Sequence, residues 1–188
     1  NNRIHKYIIE RYCPKSQTDW RKWLEKNHES EQSVWLVHFK SSTKVAPDSF
    51  EGIVVDDEAA TRSGFDLRSQ AVGPIVGVAY RHDGNTDKGR QTIQFTVDIT
   101  QAGKYEVRMA YAANANRATN VPLHIKAGGK RQTVHVNQRL PPKQPPFATV
   151  GTFEFATGQV VLEFTNTDTD GYVVVDAIQL LPVSDTPQ

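Results

Sequence analysis

From residue 52 onward, apolar and polar residues alternate with a period of two. Ile93, Phe95, Val97 and Ile99 alternate with Thr92, Gln94, Thr96 and Asp98, which predicts a half-buried strand. Tyr105, Val107, Met109 and Tyr111 repeat the pattern, and Gln101–Lys104 reads as the turn between the two. These two strands are therefore expected to be antiparallel neighbours. Val121, Leu123 and Ile125 give another strand, closed by Gly128–Gly129, and Thr133–Val136 follows. Gly158 separates a Thr152–Phe155 strand from Val160–Phe164. The last run, about Tyr172 to Leu181, is apolar on both faces, as a strand covered on both sides would be. With Ile53–Val55 and Val76–Tyr80 this makes roughly nine or ten short strands and no 3.6-residue pattern. The fold expected is mainly β: an antiparallel β-sandwich of jelly-roll type with a short α-helical N-terminal segment.

The first 50 residues follow a different rule. Ile4, Ile8 and Tyr12 recur at helical spacing up to Pro14, which predicts a short amphipathic helix. Ser16 and Asp19 read as a capping box for a second helix, whose stripe is Trp20, Trp23 and Leu24. Val34–Phe39 is β-rich and too short for a helix. The polar stretch Ser41–Ser49, with Pro47, reads as a linker. The division expected is a 1–50 segment, a 51–183 sandwich and a 184–188 tail. A segment of about 45 residues buries too little to fold well alone, so packing against the sandwich is expected.

Composition narrows the function classes. The chain has 188 residues, 22 Lys+Arg against 21 Asp+Glu, and a net charge of +1, which favours no nucleic-acid partner. The first 50 residues are +3 and the rest −2. No run approaches the ~20 apolar residues of a membrane span. Asn1–Asn2–Arg3 opens no signal-peptide pattern, which suggests a mature or excised chain. One cysteine, Cys13, excludes an internal disulfide framework.

Six blocks in order carry a resemblance: Gly52–Asp57 (GIVVDD), Tyr80–Asn85 (YRHDGN), Ala102–Tyr111 (AGKYEVRMAY), Asn116–Pro122 (NRATNVP), Gln138–Pro142 (QRLPP) and Thr169–Pro182 (TDGYVVVDAIQLLP). Residues 52–182 resemble the golvesin C-terminal-like, or xanthan lyase carbohydrate-binding-like, domain. The resemblance implies a β-sandwich module appended to larger secreted or surface proteins. Cys13–Lys44 resembles the opening of YdeI-like bacterial proteins over some 30 residues, and no function is carried across from it.

Several constellations invite a chemical reading. Asp83, Asn85 and Asp87 place oxygens at alternate positions, as a Ca²⁺ loop does. Gly89 falls seventh and no Glu follows at twelve, so a plain turn accounts for the segment better than a metal. Asn114, Asn116, Arg117, Thr119 and Asn120 crowd one loop, offering the directional donors and acceptors that a sugar requires. A charge on the apolar Val173–Leu181 run is costly unless paired, so Arg117 and Asp176 are expected to form a partly buried ion pair. Gln138–Pro146 reads as a rigid crossover more readily than as a polyproline ligand. Asp56 and Asp57 are expected on opposite faces of a strand.

No catalytic motif is present: no G-x-S-x-G, H-E-x-x-H, phosphate loop or dinucleotide fingerprint. The function expected is a non-catalytic module that binds carbohydrate, cell-surface or extracellular polysaccharide, as part of a larger secreted, periplasmic or surface protein. The alternative is a structural domain docking onto a partner domain without a sugar. Candidate ligand-binding residues are Tyr80, His82, Asn85, Tyr111, Asn114, Asn116, Asn120 and Tyr172, with Phe147 as a further aromatic for stacking. No cofactor beyond a structural calcium at Asp83, Asn85 and Asp87 is suggested.

Overall fold

The computed structural model describes Glu10–Tyr12, Gln17–Asn27, Val34–Leu36 and residues 44–183. The chain divides into two compact units, Asn1–Phe39 and Lys40–Gln188. In the first, β1 (Glu10–Tyr12) pairs in parallel with β2 (Val34–Leu36), and α1 (Gln17–Asn27) lies between them in sequence. The helix expected through Tyr12 is thus a strand at its C-terminal end. Pro14 forbids continuation and so short a helix is marginal alone, whereas a ladder supplies partners. Residues 4–9, Cys13, Ser16 and Val37–Phe39 lie outside the described residues. On α1 the Trp20 and Trp23 rings stack with centroids 5.5 Å apart and planes 9° off parallel. Asn27 Nδ2 donates to the Trp23 carbonyl one turn back along the helix (2.8 Å).

The second unit is built from β3 (Lys44–Val45), β4 (Ile53–Asp56), β5 (Thr61–Ser63), β6 (Leu67–Ser69), β7 (Ile75–Val76), β8 (Tyr80–His82) and β9 (Thr92–Ile99). It continues with β10 (Gly103–Ala110), β11 (Val121–Ala127), β12 (Lys130–Val136), β13 (Phe147–Phe155), β14 (Gly158–Thr165), β15 (Val174–Val175) and β16 (Ala177–Pro182). A five-stranded antiparallel sheet has the order β12-β11-β14-β9-β5, and a four-stranded one β13-β10-β16-β4. A smaller sheet, β15-β8-β6, and the parallel pair β3-β7 complete the unit. Part of the expected linker is therefore strand.

The hairpin expected between β9 and β10 does not form. β9 pairs with β14 and β5, while β10 pairs with β13 and β16 in the other sheet. The turn after Ile99 is an arch between sheets. Each strand buries one alternate face, and that pattern fits strands facing each other across a core as well as strands side by side. Phe95 and Phe164 meet edge to face at 6.0 Å within this core, and Val107, Met109, Ile178 and Leu180 are fully buried in the same cluster. Each such side chain stabilises the fold by about 1.5–3 kcal/mol.

Two runs read as single strands are broken in ways that shape the functional surface. Val76–Tyr80 splits into β7 and β8 because Gly77 turns the chain at φ 65°. Tyr172–Leu181 splits into β15 and β16, which belong to different sheets, with Asp176 at the break. The proline segment after Gln138 joins the edge strand of one sheet to the edge strand of the other, as a crossover. The fully buried Gln138 side chain pairs with both backbone groups of Val174, accepting from its N–H (2.9 Å) and donating to its carbonyl (2.6 Å). An amide side chain here does what an adjacent strand would do.

Candidate functional site

The sandwich gathers most of the candidate residues around one shallow cleft of ≈ 260 Å³, lined by Tyr80, His82, Asn114, Asn116, Arg117 and Tyr172 among others. The loop after β10 is fastened to Tyr172 by a short parallel bridge. Tyr172 N–H donates to the Asn116 carbonyl (3.1 Å), and Ala118 N–H donates to the Tyr172 carbonyl (2.8 Å). Sequence-distant polar groups thereby share one wall. Asn114 and Asn116 are exposed, Tyr172 and His82 are half-buried, and their two rings meet edge-on at 6.2 Å.

Arg117 does not pair with Asp176. Its Nε donates to the Ala112 carbonyl (3.0 Å), one terminal nitrogen to Asn116 Oδ1 (2.8 Å) and the other to the Tyr80 hydroxyl (3.4 Å). The guanidinium also lies over the Tyr80 ring, 5.8 Å from its centroid. A planar fork with several donors satisfies itself on carbonyls and a ring, so burial does not oblige it to find a carboxylate. Tyr80, only 2% exposed, is thus the floor under Arg117 and offers no stacking face.

The other candidates are dispersed. Tyr111 and Phe147 are buried, and the Tyr111 hydroxyl donates to the Leu140 carbonyl (2.9 Å) beside the proline segment. Asn120 is a structural clamp on the 168–170 turn, donating to the Asp168 carbonyl (2.7 Å) and accepting from Asp170 N–H (3.1 Å). Asn85, at φ 59°, occupies a turn position outside the cleft.

His82 has a defined protonation state. Its Nδ1 accepts from Gly84 N–H (3.2 Å), and burial, then the Arg117 charge, holds its pKa below the ordinary histidine value. The folded state binds this proton more weakly than the unfolded chain does. Stability is therefore complete above the ordinary histidine range and falls as pH drops through and below it. Nitrogen-15 NMR should show the neutral Nε2–H tautomer at pH 7 and a midpoint below that of an exposed histidine. A midpoint above it would contradict the geometry.

The expected calcium loop is organised as a polar hub. Asp83, 1% exposed, accepts at Oδ1 from the N–H groups of Asn85 (2.9 Å) and Val173 (2.9 Å). Oδ2 accepts from Lys88 Nζ (2.9 Å) and Asn166 Nδ2 (3.2 Å). Four donors, one of them an ammonium, occupy the carboxylate that a metal would need. Asp83 is thus held by protein donors in the place of the ion that its spacing with Asn85 and Asp87 suggests.

A second acidic group escaped the sequence reading. Asp57 begins a 3₁₀ turn (Asp57–Ala59), so it does not continue the alternation of β4. Carboxylate oxygens of Asp56, Asp57 and Glu58 consequently lie within 4.8 Å of one another. Asp176 joins them from the break between β15 and β16; its Oδ2 accepts from Val76 N–H (2.9 Å) and its carbonyl from Asp57 N–H (2.8 Å). Burial above all, aided by neighbouring carboxylates, pushes both Asp57 and Asp176 up to about 8. The signal in the sequence is the Asp176 charge within an apolar run; the groups that meet Asp176 are the backbone N–H groups of Val76, at its carboxylate, and Asp57, at its carbonyl, and Arg117 is not among them.

Residues 53–182 match the family model of the golvesin C-terminal domain, and residues 12–56 match that of a domain of unknown function (DUF8412). The YdeI-like resemblance of Cys13–Lys44 finds no support in these matches. A xanthan lyase of Bacillus sp. (strain GL1) is 32% identical over 133 residues, which cover 68% of this chain and 14% of that protein. The solved Paenibacillus xanthan lyase superposes with a TM-score of 0.64 at 34% identity, covering 70% of this chain and 13% of that one. A family 35 carbohydrate binding module from Clostridium thermocellum shares the fold, with a TM-score of 0.52 at 18% identity over 70% of this chain and 98% of the module. The chain thus spans a small part of the lyases that it matches.

Proposed function

The chain belongs to the golvesin C-terminal domain family, and on that premise we propose that it is a non-catalytic accessory module that binds carbohydrate and serves a larger extracellular protein. The observation that carries this reading is the cleft itself. Tyr172 offers the aromatic surface on which a sugar face stacks, while Asn114, Asn116 and neutral His82 surround it with directional polar groups. Its shallowness suits a polysaccharide chain that enters and leaves sideways. The resemblance in fold to a carbohydrate binding module, and membership of a family represented in xanthan lyases, point to a surface polysaccharide as the ligand class. Secretion is part of the same proposal.

The competing reading, a docking domain with no sugar ligand, predicts a broad apolar patch. Among the described residues, the exposed large hydrophobics are Leu67, Val78, Leu140 and Val183, spread along the sequence. Four such residues are few for a broad apolar patch, which favours the first reading, although the burial of Tyr80, Tyr111 and Phe147 leaves Tyr172 as the cleft's main stacking ring. The test is a glycan array with the intact chain, with acidic xanthan-like polysaccharides included. Binding is expected, and Tyr172→Ala should weaken it at least tenfold while leaving thermal stability within a few degrees. No binding to any glycan, with the fold intact, would favour the docking alternative.

A further inference from the structure

Charge is spread unevenly along the second unit. Residues 107–153 hold seven Lys+Arg and no Asp or Glu, whereas residues 51–106 and 154–188 together hold six against fifteen. The basic stretch contains β11, β12, the proline crossover and most of β13, and β12 and β13 are the edge strands of the two large sheets. Four of its cations are already engaged. Arg108 pairs with Glu106 (2.7 Å), Lys126 with Glu163 (2.9 Å) and Arg139 with Asp170 (3.2 Å), while Arg117 is buried in the cleft wall. Lys130, Arg131 and Lys143 are exposed and have no ion pair among the described residues.

Strand register arranges part of this charge as a track. Arg131, Thr133 and His135 share the outer face of β12, with Lys126, His124 and Pro122 opposite them on β11. His124 Nδ1 and Thr133 Oγ1 lie 2.9 Å apart, which fixes both on that face. From Arg131 to His135 is about 13 Å of strand. His135 then borders a groove of ≈ 380 Å³ between β12 and β13, whose walls include Asn137, Leu140, Lys143 and Gln144. Glu163, which faces His124 from β14, is held by Lys126 and Gln94, and Asp98 is on β9, three strands from β12. The field along the track is therefore positive. Burial first, and then the Arg131 charge, holds the His124 pKa below the ordinary histidine value despite Glu163.

We propose that this track is a second carbohydrate surface, which takes an acidic polysaccharide whose sugars carry carboxylates. Arg131 and Lys143 stand unpaired at its two ends, placed to meet two carboxylates of one chain. Between them Thr133, Asn137 and Gln144 supply donors and acceptors for hydroxyl groups. Leu140, 60% exposed, offers an apolar face to the ring C–H groups. Cations this sparse suit a polymer with no more than one charge per sugar. Duplex DNA, with one charge per about 1.7 Å, calls for a denser array. No residue lines both this groove and the Tyr172 cleft. The proposal rests on the carbohydrate reading above for its class of polymer, and not on that cleft.

The test uses the intact chain carrying Tyr172→Ala, whose cleft lacks its stacking ring, in calorimetric titration with sodium polygalacturonate at low salt. Binding is expected, at least tenfold tighter than to the fully methyl-esterified polymer, which keeps the sugars and loses the charge. Salt at about 0.5 M should abolish it. Adding Arg131→Gln and Lys143→Gln should weaken binding at least tenfold and leave the melting temperature within a few degrees, since both side chains are exposed and unpaired. Lys44→Gln with Arg90→Gln removes the same charge from exposed positions elsewhere, and should change binding less than twofold. An equal loss in the two double variants would reduce the effect to net charge and overturn the proposal. Binding that Tyr172→Ala alone abolishes would also overturn it, placing the polymer in the cleft and leaving the carbohydrate reading intact. Absence of polygalacturonate binding in both the parent chain and Tyr172→Ala would overturn it whatever the glycan array shows. A DNA duplex or anionic vesicles bound as tightly as polygalacturonate would overturn the assignment to polysaccharide.

Discussion

Replacing Asp83 by alanine should lower the free energy of unfolding by about 3–5 kcal/mol, the usual result of breaking a buried ion pair from one side. Asp83 joins three segments that are distant in sequence. Its oxygens hold the turn at Asn85, the Lys88 ammonium, Asn166 at the end of β14 and the backbone of Val173 just before β15. Lys88 in turn donates to Thr169 Oγ1 (2.8 Å) and to the Gly171 carbonyl (2.6 Å). Removing the carboxylate leaves Val173 N–H buried without its acceptor and the ammonium without its counter-ion. Asp83→Asn should also destabilise strongly, because its amide group would face the donors Lys88 and Asn166. In urea the midpoint for the alanine variant should fall by roughly 1 M or more. Far-UV circular dichroism is the appropriate signal, since Trp20, Trp23 and Trp35 all lie in the first unit. A shift no larger than that of an ordinary surface substitution would show that the hub is not coupled to the fold.

This hub shows where a sequence reading runs short. Alternation was enough to find β9, β10, β11 and β14, because each presents one face to a core. It could not say which strand lies beside which, and the arch between β9 and β10 was therefore read as a hairpin. Asp83 and Asp87 were visible as oxygen-bearing residues at a calcium-like spacing. The donor that claims Asp83, Lys88, stood in the same segment, but whether its ammonium or a metal would take the carboxylate depends on contacts from Asn166 and Val173, 83 and 90 residues away.

The cleft was more legible than the acidic cluster, for a physical reason. Aromatic and amide residues in loops declare their chemistry by type, so Tyr80, His82, Asn114, Asn116 and Tyr172 could be chosen, and five of eight candidates line one depression. Their exposure could not be chosen, and Tyr80 and Tyr111 are buried. The cluster depended on two departures from regular alternation, a 3₁₀ turn at Asp57 and a strand break at Asp176. Period-two logic placed Asp56 and Asp57 on opposite faces, which a continued strand would have done.

Gly171→Ala should cost about 3 kcal/mol and abolish binding in the cleft, although it adds a single methyl group. A Cβ at this position would stand 2.7 Å from the Arg117 carbonyl carbon and oxygen and 2.8 Å from the Asn116 oxygen. These are backbone atoms, so no side-chain rotamer relieves the overlap, and the two chains must separate. Separation strains the Ala118-to-Tyr172 and Tyr172-to-Asn116 hydrogen bonds, each contributing about 1 kcal/mol, on top of an overpacking cost of typically 1–3 kcal/mol. It also moves Tyr172 away from Asn116 and Arg117, which dismantles the wall that the cleft shares. Gly103→Ala is the matched control, since nothing lies within 4 Å of its Cβ and its φ is ordinary; its effect should stay within about 0.5 kcal/mol. Urea midpoints followed by circular dichroism, together with titration of the polysaccharide that binds best on the array, give both readouts. If Gly171→Ala matched Gly103→Ala in both, the close approach at residue 171 would have no part in holding the cleft together.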